Sequence, residues 1–269
     1  MEQWTDTAIV LGSRTHGENG AIVSVLSRAH GRYAGYVHGA RSSRLRGLLE
    51  PGSRVQVDWR ARLADQLGTF AVESDGAGAS SAFLHDPLRL CALVSACALC
   101  EATLPDREGH GGLFDGLETL FAHLCGPHWG AAYVFWEIAL LRELGFGLDL
   151  GRCAMGGDAR TLAWVSPKSG RAVSRESGQP YADRLLPLPA FLKPGGGSDD
   201  PAEVLKGLDL TGHFLESWAF AHHTIGIPDP RRRLRTALLE NLQAQERLIF
   251  DSVQFLRETT IRPDDADRR

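Results

Sequence analysis

Residues 53–59 read SRVQVDW: Val55, Val57 and Trp59 alternate with Arg54, Gln56 and Asp58. Period-two alternation marks a strand with one face buried and the other in water. The strand follows a Pro51-Gly52 turn and closes a longer stretch, residues 28–62, RAHGRYAGYVHGARSSRLRGLLEPGSRVQVDWRAR. Eight arginines fall in that stretch: Arg28, Arg32, Arg41, Arg44, Arg46, Arg54, Arg60 and Arg62. Only Glu50 and Asp58 oppose them, a local balance of +6 in a chain whose net charge is −4. Tyr33, Tyr36 and Trp59 are interleaved. Guanidinium forks match phosphate oxygens, and aromatic faces stack bases. The competing reading is a solvated sheet face with its rings in the core.

Working outward, residues 6–74 carry four more strand-like runs: Thr7–Leu11, Ala21–Leu26, Gly31–Val37 and Gly68–Glu73. A loop rich in Gly, Ser and Arg, Gly39–Arg46, separates the third run from SRVQVDW. Five short strands in about 70 residues, with no long helix, fit a small barrel of the OB type.

The run SDGAGASS, residues 74–81, reads as a boundary. Beyond it the period becomes helical. Asp86-Pro87 is a helix start, because Asp caps free N–H groups and Pro suits the first turn. The text to Leu104 is apolar on nearly every face, as in a helix at the centre of a bundle. Leu113–Leu124 and Trp129–Leu144 repeat the helical spacing, and Gly145 stops the second. Residues 151–184 are poor in helix formers; Leu162–Val165 and Arg171–Val173 read as short strands around a turn, SPKSG. GGGSDDP, residues 195–201, reads as a flexible loop, with helices expected over Leu210–Ile225 and Pro230–Leu256. The second opens with Arg231, Arg232, Arg233 and Arg235, cations that oppose the macrodipole and are either solvated or reaching a partner. The fold class expected is α+β and multidomain. Its parts are an OB barrel over 1–78, a helical body over 79–150 and 185–261, an inserted module over 151–184 and a disordered tail over 262–269.

Catalytic signatures are absent from the sequence. There is no phosphate-cradling glycine loop, no H-E-x-x-H and no G-x-S-x-G. Cys97 and Cys100 are spaced C-x-x-C but lie inside apolar helical text, so they read as core residues. His222 and His223 are adjacent and point to different helix faces, a poor chelate. The chain therefore does not read as an enzyme, and no catalytic or metal residue is assigned. No apolar run reaches the ~20 residues that span a bilayer. Five cysteines, four of them in apolar helical text, suit a reducing cytoplasm.

Three stretches then carry a resemblance: YVHGARSSRLRGLLEPGSRVQVDW (36–59), ALLRELGFGLDLGRC (139–153) and VSPKSGRAVS (165–174). With the order barrel, helices, small insert, helices, the chain resembles the RecO family of DNA repair proteins over nearly its whole length. The resemblance implies a cytoplasmic, nucleoid-associated recombination mediator. Such a protein binds single- and double-stranded DNA, anneals complementary strands, and works with RecR and the acidic C-terminal tail of SSB to load RecA at gaps. Many relatives bind zinc through two C-x-x-C pairs in the insert. Here the first pair is reduced to Cys153, in CAMG, and the second falls at Ser174 and Ser177, so no zinc and no other cofactor is expected. The expected DNA-binding residues are Arg28, Arg32, Arg41, Arg44, Arg46, Arg60, Tyr33 and Tyr36, with Arg142 as a partner-binding residue. The rival functions are an OB barrel for RNA or ribosome components, and an adaptor whose arginines meet acidic protein.

Overall fold

The computed structural model describes residues 1–63, 65–75 and 82–260. Five strands close a barrel in the order β1-β2-β3-β5-β4. They are β1 (Glu2–His16), β2 (Gly20–Ser27), β3 (Gly31–Val37), β4 (Arg54–Ala61) and β5 (Thr69–Ser74). All pairs are antiparallel except β3–β5, which meet in parallel at Tyr36 and Thr69. A short helix, α1 (Ser43–Arg46), lies in the β3–β4 loop. β1 extends past the expected Thr7–Leu11 at both ends. Its first residues, Glu2–Asp6, pair with the end of β4, and Trp4 lies opposite Trp59.

β1 explains how the barrel is seated. Ala8 and Val10 belong to the barrel core, whereas Ile9 and Leu11 belong to the core of the helical body. A continuous apolar run is what a strand buried on both faces requires. The element on its outer side is α2 (Pro87–Thr103), capped by the Asp86 side chain on Arg89 N–H as the Asp-Pro pair anticipates. Gly52 (φ +81°) and Gly12 permit this approach. A Cβ on Gly52 would lie 2.7 Å from Leu93, and one on Gly12 2.7 Å from Glu101.

The body adds α3 (Gly111–Leu124) and α4 (Trp129–Glu143). A small sheet follows, β6 (Leu162–Val165), β7 (Ala172–Ser174) and β8 (Leu186–Pro187), in the order β7-β6-β8 with the short helix α5 (Arg175–Gly178). The GFGLDLG run links α4 to this sheet through Asp149, which donates to Gly170 O and accepts from Ala172 N–H. Two helices complete the body: α6 (Pro201–Phe214), continued by a π turn over Leu215–Ala219, and α7 (Asp229–Thr260). Cys97 and Cys100 are fully buried, and burial pushes the Cys100 thiol up to about 12.

Two expectations are corrected here. The helix read over Leu210–Ile225 begins at Pro201. The GGGSDDP loop ends in an N-cap, with Asp200 accepting from Ala202 and Glu203 N–H groups at 3.0 Å. The arginines opening α7 are neither free nor held for a partner as a group. Arg231 is buried against Glu137 of α4, while Arg232 pairs with Asp229 and Arg235 with Asp209. The tail expected over 262–269 lies outside the described residues, as do 76–81 of the boundary run.

Candidate nucleic-acid interface

The arginines of residues 28–62 do not form one surface; they separate into two groups. Arg28, Arg32 and Arg54 face the helical body. Arg32 Nε donates to Leu104 O at 2.7 Å and its guanidinium meets Asp106 at 3.0 Å. Arg28 meets Asp115 of α3 at 2.5 Å and lies over the Phe114 ring. Arg54 bridges Asp75 at 2.9 Å and Glu118 of α3 at 2.6 Å. A cationic face shared by the whole stretch is thus corrected: acidic groups 21 to 87 positions away draw three of its members to the seam between barrel and body.

The second group stands on the β3–β4 loop. Ala40 and Leu49 are buried, and Leu45 and Leu48 pack onto the barrel core. Ser42 caps α1 by accepting from Leu45 N–H, and Ser53 Oγ donates to Gly47 O at 3.3 Å. The loop is therefore a platform tied down from beneath. Arg41, Arg44 and Arg46 project from it, exposed, with no carboxylate partner among the described residues. Arg44 looks across a groove of ≈ 490 Å³ to Arg60 of β4, with His38, Ser42, Leu45 and Phe70 among its walls. Arg60 is paired in a fork with Asp58, at 3.0 and 2.8 Å, and the Arg60 guanidinium holds the Asp58 carboxyl below the usual carboxylate range.

The two tyrosines also part. Tyr33 points into the barrel and is 9% exposed. It packs edge-on against Trp4 and Trp59, at 4.9 and 5.1 Å between ring centres. Arg107, from the loop after α2, lies over the Tyr33 and Trp59 rings and donates to Gln66 O, plugging that end of the barrel. The stacking role expected of Tyr33 is corrected for this reason: its ring is enclosed. Tyr36 points outward and is half-buried between His16 and His38, with its hydroxyl end resting on Gly20. Arg14, an exposed cation near the end of β1, was missed because the strand was read as ending at Leu11.

Arg142 is exposed in the last turn of α4. Phe135, Ala139 and Arg142 follow one another at spacings of four and three, on one helix face. Phe135 and Ala139 line an apolar groove of ≈ 500 Å³ between α3 and α4, together with Leu120 and Trp136. Phe135 is 51% exposed there.

In the insert, Cys153 Sγ accepts from Ser174 N–H at 3.3 Å, and the Ser174 and Ser177 hydroxyls lie 3.0 Å apart. Burial would push the Cys153 thiol up. The Ser174 hydroxyl and the N–H groups of Ser174, Met155 and Gly157 bring it down instead, to about 7. One sulfur and two hydroxyls do not fit a zinc ion, which takes four thiolate, imidazole or carboxylate ligands. A Cβ on Gly157 would lie 2.3 Å from Ser174 Oγ, so the fourth side of the cluster is backbone.

Against this geometry stand the similarities to known proteins. A family model described as Recombination protein O N terminal matches residues 1–74, and one described as Recombination protein O C terminal matches residues 84–219. The chain is 53% identical over 235 residues to the DNA repair protein RecO of Rhodospirillum centenum, covering 86% of this chain and 92% of that one. It is 47% identical over 239 residues to the RecO of Phenylobacterium zucineum, covering 88% and 98%. To the RecO of Mesorhizobium japonicum it is 42% identical over 252 residues, covering 93% and 99%.

Proposed function

Because this chain belongs to the RecO family of DNA repair and recombination proteins, a family of mediators rather than enzymes, we propose that it binds DNA through the β3–β4 loop and anneals complementary strands there. One observation carries the reading. Arg41, Arg44 and Arg46 are the members of the basic stretch that stand together in solvent without a carboxylate, on a loop fixed from below. Cations held so neutralise backbone phosphates and lower the mutual repulsion of two strands. The groove between Arg44 and Arg60 and the outward ring of Tyr36 offer adjoining places for a splayed base.

Partners follow from the same membership. We propose that the acidic tail of SSB lies in the α3–α4 groove, with an apolar side chain beside Phe135 and a carboxylate at Arg142, and that RecR binds the complex so that RecA loads at a gap. The groove's apolar walls and the cation on the same helix face support this. A cytoplasmic site of action is proposed with it. No helix among the described residues is long and apolar enough to cross a membrane.

The test is titration of a labelled single strand at several salt concentrations. Replacing Arg41, Arg44 and Arg46 together by Ala removes up to three phosphate contacts. The slope of log K against log[salt] then flattens by about 2 on single strands, at roughly 0.7 per contact. An unchanged slope defeats the assignment.

A further inference from the structure

We propose that Arg28 and Arg54 form a second polynucleotide track, along the seam between barrel and body, which Asp115 and Glu118 of α3 cover in the absence of DNA. The proposal rests on the DNA-binding reading above and adds to it a second cationic strip and its control.

The strip is set by sheet geometry. Arg28 follows β2 and donates its backbone N–H to Thr7 O of β1 at 3.1 Å. Arg54 opens β4 on the other side of β1, in register with Ile9. The two residues therefore flank one strand, about 10 Å apart at two strand spacings. Asp115 and Glu118 are three positions apart in α3, so they share one helix face. That face is laid on the seam: Asp115 meets Arg28 at 2.5 Å and Glu118 meets Arg54 at 2.6 Å. Asp75 takes a second edge of Arg54, at 2.9 Å.

Both guanidiniums remain open to solvent on one side; the Arg28 and Arg54 side chains are 51% and 44% exposed. Ion pairs of this kind are weak and yield to salt. A phosphate oxygen offers the same fork geometry as a carboxylate. The two acids thus occupy the positions that a backbone would take, and DNA already gathered by the β3–β4 loop competes with them at high local concentration. The Pro51-Gly52 turn joins that loop directly to Arg54, so the two strips are continuous along the chain. Two strips suit annealing, which must hold two backbones at once.

Labelled single-strand titrations at several salt concentrations test this with four proteins: wild type, Asp115→Asn/Glu118→Gln, Arg28→Ala/Arg54→Ala and the four-fold combination. The acid double variant is expected to bind about threefold tighter or better, with a slope steeper by roughly 1.4, the value for two added phosphate contacts on a single strand. The four-fold variant is expected to lose that gain. No gain in the acid variant, or a gain that survives removal of Arg28 and Arg54, overturns the proposal. Asp115→Asn alone keeps the Glu118–Arg54 contact and gives half the change in slope, so the measurement stands even where the double variant folds poorly. The two readings fail differently. If wild type binds with a slope that depends on Arg41, Arg44 and Arg46 while the acid variant gains nothing, only the seam track is lost. If no form binds the strand, DNA binding itself is wrong.

Discussion

Arg231 of α7 and Glu137 of α4 face each other as a two-pronged ion pair inside the helical body, 3% and 0% exposed, with Arg231 Nη2 at 2.9 Å from Glu137 Oε2. The same nitrogen donates to Leu208 O at 2.8 Å, and Thr211 Oγ1 donates to Glu137. Three helices thus converge on one carboxylate. Burial alone would lower the Arg231 pKa, but the Glu137 charge raises it and keeps the guanidinium protonated. Removing one partner of such a pair strands the other charge, at about 3–5 kcal/mol, whereas replacing both with apolar groups is close to neutral. Arg231→Met is therefore expected to lose that much stability in urea unfolding, and Arg231→Met/Glu137→Leu to recover most of it. Equal losses in the two proteins mean that the pair contributes through packing alone.

Arg32 and Arg44 separate structure from binding within one basic stretch. Arg32 holds Leu104 O and Asp106, so Arg32→Ala is expected to destabilise the seam by roughly 1.5–3 kcal/mol, the range for hydrogen bonds to a charged group. Arg44 touches no carboxylate among the described residues, and Arg44→Ala is expected to leave stability within about 0.5 kcal/mol. Its single-strand salt slope drops by about 0.7 instead. Urea unfolding and DNA titration on the same two proteins decide whether the division is right.

Tyr33 and Tyr36 make the same division among the aromatics. Tyr33→Ala opens a cavity beneath Trp4 and Trp59 and is expected to cost about 3–5 kcal/mol, as large aromatic truncations in cores do. Tyr36→Ala removes an outward ring. If a base stacks there, it weakens single-strand binding by about 1–3 kcal/mol with little change in melting. A folded Tyr36→Ala protein that binds like wild type removes Tyr36 from the interface.

How much of this was legible follows from range. Val55, Val57 and Trp59 announced β4 because alternation is a local property, and Asp86-Pro87 announced α2 because a cap and a first-turn proline are adjacent in sequence. Asp200-Pro201 is the same signal, yet it was passed over because the Gly195–Gly197 run before it reads as a loop. Glu2–Asp6 looked too polar for a strand, and pairing with the end of β4 supplies what the text lacks. The arginines were visible by identity alone. Their partners were not, since Asp106, Asp115 and Glu118 reach them only after α2 has seated the body on β1. Glu137 was hidden for the opposite reason: a charge in an otherwise apolar helix reads as its wet side until α7 brings Arg231 to meet it.

Cys153 makes the stability of the insert depend on pH in a direction that can be worked out. Its thiol titrates at about 7 in the folded protein, against an ordinary value of 9.0. The folded chain therefore binds fewer protons than the unfolded chain between those two values, and stability rises with pH across that window. The contribution is full above about 9 and is gone once pH falls through about 7. The N–H groups of Ser174, Met155 and Gly157 and the Ser174 hydroxyl, which favour the thiolate, are its source. Cys153→Ser has no thiol to titrate there. The stability difference between wild type and Cys153→Ser, measured by urea unfolding under reducing conditions, is expected to widen between pH 6.5 and pH 9 by on the order of 1 kcal/mol. Parallel pH profiles for the two proteins show instead that the sulfur is held as a neutral thiol, and that the hydrogen bonds around it serve packing rather than charge.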